Sequence, residues 1–340
     1  MEKKNVIELK ENVVGAIRKE MKSSGATESY YNKITGGTGA CESVNTAFVL
    51  ADMPDIAFLS QTDQLQMESE VLEHNLPAVW TLGRSYRREP RAGVGRHLSE
   101  FALMEYEAKD MNLEGLTKYQ QKLLDISMKV AIESPGMDVE HKKRLKKYLS
   151  KPAPVISYTD ILEKLNEGGV SINWGDDFSS TIEEMVCLIY DGPVQVTHYP
   201  ESIKFFNMYR TDRESLAQGI SIDQCNEHRW TVDCVDFLLP FAGESFGASR
   251  REEDYKTLVT KLVESTMFEQ MVDIRKKYEG HKYNDEESLH NAALEPFKCY
   301  LELFNPEKHP DRTSVTRSGF GLGMGRLVQF LLGRTEIVVF

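Results

Sequence analysis

The stretch from Leu82 to Glu107, LGRSYRREPRAGVGRHLSEFALMEYE, constrains the fold most, because it has the pattern of a β-hairpin. Pro90, Gly93 and Gly95 interrupt regular structure in its middle. Apolar and charged residues then alternate with a period of two, which is typical of a strand with two unlike faces. Such a strand places four side chains on one face, namely Phe101, Leu103, Glu105 and Glu107. The stretch therefore predicts two antiparallel strands joined by a charged turn.

The side chains around this turn suit a nucleotide. Arg87, Arg96 and His97 are cations, and guanidinium groups hold phosphate oxygens in a fork. The ring of Phe101 offers a face that can cover a purine. Charged turns are also common in hairpins that bind nothing. The hairpin alone leaves both interpretations open.

The amino-acid composition constrains the cellular compartment and the binding partners of the protein. The chain has 340 residues with 53 acidic and 41 basic side chains, a net charge of −12, which argues against a broad nucleic-acid-binding surface but allows a local basic pocket. Its five cysteines form no CxxC pair, which favours free thiols in a reducing cytoplasm. The charged start lacks a signal core, and no apolar run is long enough to span a bilayer. We expect a cytoplasmic protein without a membrane partner.

Periodicity outlines the remaining elements. Apolar residues at helical spacing predict helices over 5–24, 114–134, 138–150 and 179–190, and apolar runs predict strands at 193–197 and 232–239. The spacing of Ser157 and Asp160 resembles a capping box and predicts the start of a short helix. The apolar stripe of the first helix packs either on its own domain or in a dimer interface.

Two segments in the last third carry candidate ligand groups. Asp236 lies in the apolar strand 232–239, and Glu244 follows it; on adjacent strands the two carboxylates would suit Mg²⁺, although two such acids are usually surface charges. Alternating glycines at 319–325 let a strand pack tightly under a ligand. Arg326 follows them at the predicted start of a helix, where backbone amides also favour anions.

Taken in order, these segments resemble the catalytic domain of class II aminoacyl-tRNA synthetases, within the aspartate/asparagine/lysine subgroup and nearest to asparaginyl-tRNA synthetases. SYRREPRAGVGRHLSEFALMEYE resembles the second family motif and GFGLGMGR the third. Between them, ISYTDIL, INWGDDFSS, VTHYPESIKFF, VDFLLPFAGESFGASRREE and LEPF resemble family segments in the right order. The resemblance implies an α+β fold with an antiparallel sheet flanked by helices. It also implies one catalytic domain over 1–340, a helical insertion at 110–190, and a homodimer formed through the 5–50 region. Asparaginyl- and aspartyl-tRNA synthetases carry an amino-terminal anticodon-binding domain, which we expect to be missing here. In this respect the chain resembles stand-alone paralogues such as the archaeal type of asparagine synthetase.

The resemblance also implies an ATP site with magnesium. Its ATP-binding set comprises Arg87, Glu89, Arg96, His97, Phe101, Glu244 and Arg326. As the two catalytic arginines, Arg87 would hold the α-phosphate and Arg326 the γ-phosphate. Glu89 would meet the adenine amino group, Phe101 would stack on the ring, and Arg96 and His97 would touch the outer phosphates. Asp236 and Glu244 would bind Mg²⁺.

For the amino acid, the resemblance implies that Glu42 and Gln61 receive the α-ammonium group and Arg87 the carboxylate, while Arg251 reads the side chain. The run SQTDQLQME, which ends at Glu68, resembles the version found in asparagine enzymes. A carboxylate accepts from an amide NH₂ and repels a second carboxylate, so Glu68 favours asparagine over aspartate. The alternative is that Glu68 faces solvent on a helix.

The chain departs from the family pattern at several points. Asn32 stands where the first motif usually has proline, Gly325 where a glutamate usually precedes the third-motif arginine, and DRTSVTR differs just before the glycines. Together with the expected lack of an anticodon reader, these departures leave three hypotheses. The favoured one is an ATP-dependent ligase that forms an aminoacyl adenylate and transfers the acyl group to ammonia, an amine or a carrier. The alternatives are a minimal synthetase that charges tRNA and a non-catalytic binding paralogue.

Overall fold

The computed structural model describes residues 2–38, 43–88, 97–211, 229–312 and 315–340. Its strands are β1 (Thr27–Glu28), β2 (Ile34–Thr35), β3 (Val49–Leu50), β4 (Ala57–Leu59), β5 (Ala78–Tyr86), β6 (Glu100–Lys109), β7 (Val155–Ser157), β8 (Val194–Thr197), β9 (Cys234–Leu239), β10 (Gly243–Arg250) and β11 (Arg317–Gly323). Its α-helices are α1 (Lys3–Ser23), α2 (Gln64–Glu73), α3 (Leu113–Glu133), α4 (Val139–Leu149), α5 (Tyr158–Glu167), α6 (Ser180–Ile189), α7 (Tyr255–Val263), α8 (Thr266–Glu279), α9 (Glu286–Glu302) and α10 (Met324–Leu332).

Eight strands form one sheet in the order β1-β5-β6-β11-β10-β9-β8-β7. The six central strands pair antiparallel, whereas β1 runs parallel to β5 and β7 runs parallel to β8. The chain passes from β7 to β8 through α5 and α6, and a helical crossover of this kind produces parallel neighbours. The α+β fold is confirmed; the predicted antiparallel sheet is mixed at its two edges.

The predicted hairpin is present as β5 and β6, which pair from Ala78 opposite Ala108 to Tyr86 opposite Glu100. Ala102, Met104 and Tyr106 of β6 point into the main core, as the alternation predicted. The opposite face of the same strand is therefore free to build a site.

The main core lies on one face of the sheet, under α1, α3 and α10. The side chains of α1 that are buried there recur at helical spacing: Val6, Leu9, Val13, Ile17 and Met21. This stripe packs within its own domain, while Ile7 on another side of α1 stays 63% exposed. Two further cores form around α7, α8 and α9 and around α5, α6 and β8.

Several predicted helix starts are confirmed in detail. Ser157 caps α5 by accepting a hydrogen bond from the backbone N–H of Asp160 at 3.1 Å. The helices predicted over 114–134, 138–150 and 179–190 are α3, α4 and α6. Within the described ranges, no helix is long and apolar enough to cross a membrane. The assignment of 110–190 as an insertion in a single domain stays a prediction.

Candidate active site

A cavity of about 360 Å³ opens above β6, β10 and β11, and it collects most of the predicted site. The predicted residues that line it are Arg87, His97, Phe101, Asp236, Glu244, Arg251 and Arg326. Phe101, Leu103, Glu105 and Glu107 all face it, which confirms the predicted outer face of β6. The cavity therefore joins the two family-like motifs and the acidic strand in one place.

Arg87 extends from the end of β5 over the ring of Phe101. The guanidinium carbon lies 4.8 Å from the ring centroid, within the range of a cation–π contact. The contact places a permanent positive charge beside a flat aromatic face. This is a suitable arrangement for a molecule that combines a phosphate with a planar base.

Asp236 on β9 and Glu244 on β10 both line the cavity from neighbouring antiparallel strands. Among the residues that the structure describes, no cluster of three or more His, Cys, Asp or Glu side chains could hold a metal. Two carboxylates are nevertheless enough for Mg²⁺, which takes few protein oxygens and keeps its other positions for water and phosphate. The donor set fits magnesium bound together with a phosphate ligand.

Lys204 is a cavity residue that the sequence analysis did not assign. Its Nζ lies 2.7 Å from Oδ2 of Asp236 and 3.9 Å from the ring centroid of Tyr199. Burial alone would lower the pKa of this ammonium group, but the Asp236 carboxylate raises it above its ordinary value. Lys204 thus stays charged and balances one of the two carboxylates.

Arg326 lies in the first turn of α10 and donates a hydrogen bond to the backbone carbonyl of Glu244. The preceding residue must be glycine, because Ile337 and Val338 pass close to the backbone of Gly325. A Cβ at Gly325 would lie 2.8 Å from the carbonyl oxygen of Val338 and 3.2 Å from Cγ1 of Ile337, which itself lines the cavity. The unusual glycine therefore makes room for the segment that follows α10.

Glu68 on α2 is fully buried, so the interpretation that it faces solvent is wrong. Its two carboxylate oxygens accept from four side chains: Gln64 at 3.0 Å, Asn207 at 3.1 Å, Tyr300 at 2.8 Å and Arg317 at 3.3 Å. Glu68 does not line the cavity, whereas Gln64 and Met67 from the same helix do. Burial raises the pKa of Tyr300, and the Glu68 carboxylate raises it further, so this phenol remains a donor.

Arg251 and Glu107 form a buried ion pair in the cavity wall. Nε and Nη2 of Arg251 donate to the Glu107 carboxylate at 2.9–3.2 Å, and Nη1 donates to Ser249 at 2.6 Å. Burial raises the pKa of Glu107 to about 7, against the lowering effect of Arg251. The pair crosses β11 at Gly319, where a Cβ would lie 1.8 Å from Oε2 of Glu107.

Glu105 occupies the cavity wall next to the start of α2. Its carboxylate accepts from the backbone N–H of Asp63 at 3.0 and 3.1 Å and from the hydroxyl of Thr62. Asp63 in turn binds Lys33. Burial and the nearby Asp63 carboxylate raise the pKa of Glu105 to about 7. Sequence alternation placed Glu105 on the correct face but gave it no role.

The remaining predicted residues lie apart from the cavity or outside the description. Gln61 is fully buried and accepts from Thr38 at 2.7 Å, while its amide donates to Ser43 and Thr46. It does not line the cavity, and its role toward an α-ammonium group stays a prediction. The predicted site residues Glu42, Glu89 and Arg96 lie outside the described residues.

Comparison with known proteins identifies the family. Residues 1–339 match the family described as "tRNA synthetases class II (D, K and N)". The chain belongs to this family. The class II synthetase assignment drawn from the second and third motifs is thereby confirmed.

The similar curated proteins include several asparagine–tRNA ligases. The chain is 29% identical to the enzyme of Pyrococcus furiosus, and the match covers 96% of this chain and 65% of that enzyme. It is 32% identical to the enzyme of Thermococcus kodakarensis, where the match covers 87% of this chain and 58% of that enzyme. Asparaginyl-tRNA synthetase from Pyrococcus horikoshii, solved with asparaginyl-adenylate, superposes with a TM-score of 0.73 at 27% identity, covering 98% of this chain and 66% of that one. The chain thus spans less than two thirds of the length of each of these relatives.

Proposed function

We propose that this chain activates asparagine with ATP to form asparaginyl adenylate and then transfers the asparaginyl group to tRNA. The observation that carries the proposal is one cavity in which Arg87 and Arg326 lie together with Asp236, Glu244 and Arg251. The first four suit a nucleotide with magnesium, and Arg251 suits a polar amino-acid side chain. Both substrates would therefore meet in the same enclosed space.

In the activation step, a carboxylate oxygen of asparagine attacks the α-phosphorus of ATP. The bond from this phosphorus to the bridging oxygen breaks, and pyrophosphate leaves with the electron pair. No general base is needed because the attacking carboxylate is already ionised. Both reactants are anions, so the main tasks of Arg87 and Arg326 are to neutralise charge and to align the groups.

Asp236 and Glu244 would hold the magnesium ion, and when bound it would neutralise phosphate charge and orient the phosphates. Lys204 would balance the charge of Asp236 while phosphate and metal are absent. Ile337 forms one part of the cavity wall.

For the acceptor, the relatives that are asparagine–tRNA ligases support tRNA over the non-tRNA acceptor favoured from the sequence. In this second step, a ribose hydroxyl at the 3′ end of tRNA attacks the carbonyl carbon of the adenylate. An ester bond forms, the bond from the carbonyl carbon to the phosphate oxygen breaks, and AMP leaves with the electron pair and the hydroxyl proton. No contact among the described residues favours ammonia, a free amine or a carrier over tRNA.

The transfer step is tested by incubating the chain with ATP, labelled asparagine and total tRNA, and resolving the products on an acid gel. We expect asparaginyl-tRNA. A parallel reaction supplies aspartate and ammonia without tRNA. Formation of free asparagine there, without any charging of tRNA, would contradict the proposal and favour the non-tRNA ligase. Binding of asparagine and ATP without pyrophosphate release would favour the regulatory paralogue.

A further inference from the structure

Four buried charged side chains form a connected cluster, two of them in the cavity wall and two behind it. We call Glu68, Glu107, Arg251 and Arg317 the buried quartet; none is more than 4% exposed. Arg251 binds Glu107 at 2.9 Å and lies 3.7 Å from Glu68, and Arg317 lies 3.3 Å from the other oxygen of Glu68. The quartet thus alternates carboxylate and guanidinium from Glu107 through to Arg317.

The quartet has a front and a back. Glu107 and Arg251 line the cavity, and Glu68 and Arg317 do not. Glu68 already accepts from Gln64, Asn207, Tyr300 and Arg317, so neither of its oxygens is free for a substrate amide. The glutamate that the sequence assigned as a direct reader therefore acts through its neighbours.

The formal charges of the quartet cancel when both carboxylates are ionised. A buried charge without a counter-charge is costly, because the interior solvates it poorly. A neutral amide side chain placed against Arg251 leaves the balance intact. A carboxylate side chain adds one negative charge that no member of the quartet is free to neutralise.

We propose that Arg317 is a positioning residue for substrate selectivity: it neutralises Glu68 and so completes a charge-balanced quartet that accepts a neutral amide side chain and disfavours a carboxylate. The inference rests on the proposed function. Arg317 reaches Glu68 from a site 249 residues away in the chain. It is the first residue of β11 and the last residue of DRTSVTR, the stretch whose sequence departs from the family pattern.

Arg317 also makes contacts that stabilise the fold independently of any substrate. Its guanidinium lies 4.6 Å from the centroid of the Phe304 ring and donates to the carbonyls of Glu252 at 3.0 Å and Val315 at 3.2 Å. Loss of these contacts would lower stability without changing which amino acid is preferred. The ratio of asparagine to aspartate activation therefore separates the two roles.

The experiment measures kcat/KM for asparagine and for aspartate in ATP–pyrophosphate exchange at pH 8, where Glu107 is mostly ionised. Wild type is compared with Glu68→Gln, Arg317→Met and the double variant. Glu68→Gln keeps the shape, replaces one accepting oxygen with an NH₂ donor and leaves one guanidinium unbalanced, so we expect the preference for asparagine to fall about tenfold or more. Arg317→Met in the Glu68→Gln background removes that excess charge, so we expect the preference to return toward wild type.

Arg317→Lys, which keeps the charge, is the matched control and should retain the wild-type ratio. Equilibrium dialysis of asparagine and aspartate without ATP should give the same order of preferences. Melting curves establish folding, and Arg317→Gln replaces the methionine variant if that one unfolds. The inference is overturned if Glu68→Gln leaves the ratio unchanged, or if Arg317→Met fails to reverse its effect. Wild-type protein that activates neither amino acid would instead refute the proposed function.

Discussion

At the scale of single residues, burial sets the acid–base behaviour of Glu105. Its folded-state pKa is about 7, compared with 4.5 for an ordinary glutamate. A raised carboxyl pKa stabilises the fold below the ordinary pKa, and this contribution is lost as the pH rises through 7. The carboxylate must then ionise while it is buried beside Asp63.

Replacing Glu105 with glutamine removes this titration. Between pH 5.5 and 8, the unfolding free energy of wild type should fall by roughly 2 kcal/mol more than that of Glu105→Gln. Urea unfolding at both pH values measures the difference. Glu100→Gln, a change at an exposed glutamate on the same strand, is the control and should follow wild type. Identical pH dependence in all three proteins would show that Glu105 is not titrating in this range.

At the scale of secondary-structure elements, β11 supports the site because Gly319 leaves space for the Arg251–Glu107 ion pair to cross the strand. A Cβ at Gly319 would lie 1.8 Å from Glu107, 2.4 Å from the carbonyl of Tyr106 and 2.7 Å from Nη2 of Arg251. For a Cβ at Gly321, two residues along, the nearest atoms would belong to Leu103, at 3.5 Å or more. The two glycines occupy the same strand but differ in the space around them.

We therefore expect Gly319→Ala to lower the unfolding free energy by about 2 kcal/mol or more, since the buried pair and a backbone carbonyl must move. Gly321→Ala should change it by less than about 1 kcal/mol, because its Cβ would make only ordinary contacts. Chemical denaturation of both variants provides the comparison. Equal losses would mean that the Arg251–Glu107 pair does not require the glycine.

The elements also show which structural features local sequence patterns predict and which they do not. The face of β6 followed from local alternation, so Phe101 and Glu105 were placed correctly. The partners of Glu68 lie 139 and 232 residues away, at Asn207 and Tyr300, and no local pattern encodes such pairs. Lys204, which lies 32 residues before Asp236, was missed for the same reason.

Edge strands were a second limit for sequence reasoning. The parallel pairing of β7 with β8 depends on the path through α5 and α6, which periodicity does not reveal. Gly325 was recognised as unusual, but its cause lies in the later residues Ile337 and Val338, whose approach only the folded chain displays. Local patterns thus predicted strands and faces, and tertiary contacts decided the roles of individual charges.

At the scale of the whole molecule, the 5–50 region leaves large apolar side chains in solvent. Ile7 is 63% exposed, Tyr30 80% and Ile34 53%. We propose that this region forms the two-fold interface of a homodimer, since such interfaces bury apolar surface and closed two-fold pairs are the commonest oligomers.

Light scattering during size exclusion should give twice the chain mass of 38.8 kDa at micromolar concentration. Tyr30→Glu should shift the protein toward monomer by placing a charge in the interface. Val155→Glu, a change at a similarly exposed apolar residue on the far edge of the sheet, is the control and should leave the mass unchanged. A monomer mass for wild type would contradict this proposal.

Amino-acid-dependent ATP–pyrophosphate exchange, measured without tRNA, tests the central claim most directly. We expect exchange with asparagine that depends on magnesium and falls about a hundredfold or more in Arg87→Ala, because that guanidinium neutralises the reacting phosphate. Arg84→Ala, which removes an exposed arginine from the adjoining strand β5, should exchange like wild type. Absence of exchange with asparagine, aspartate and every other amino acid, in folded protein with magnesium, would contradict the assignment of this cavity as an adenylate-forming site.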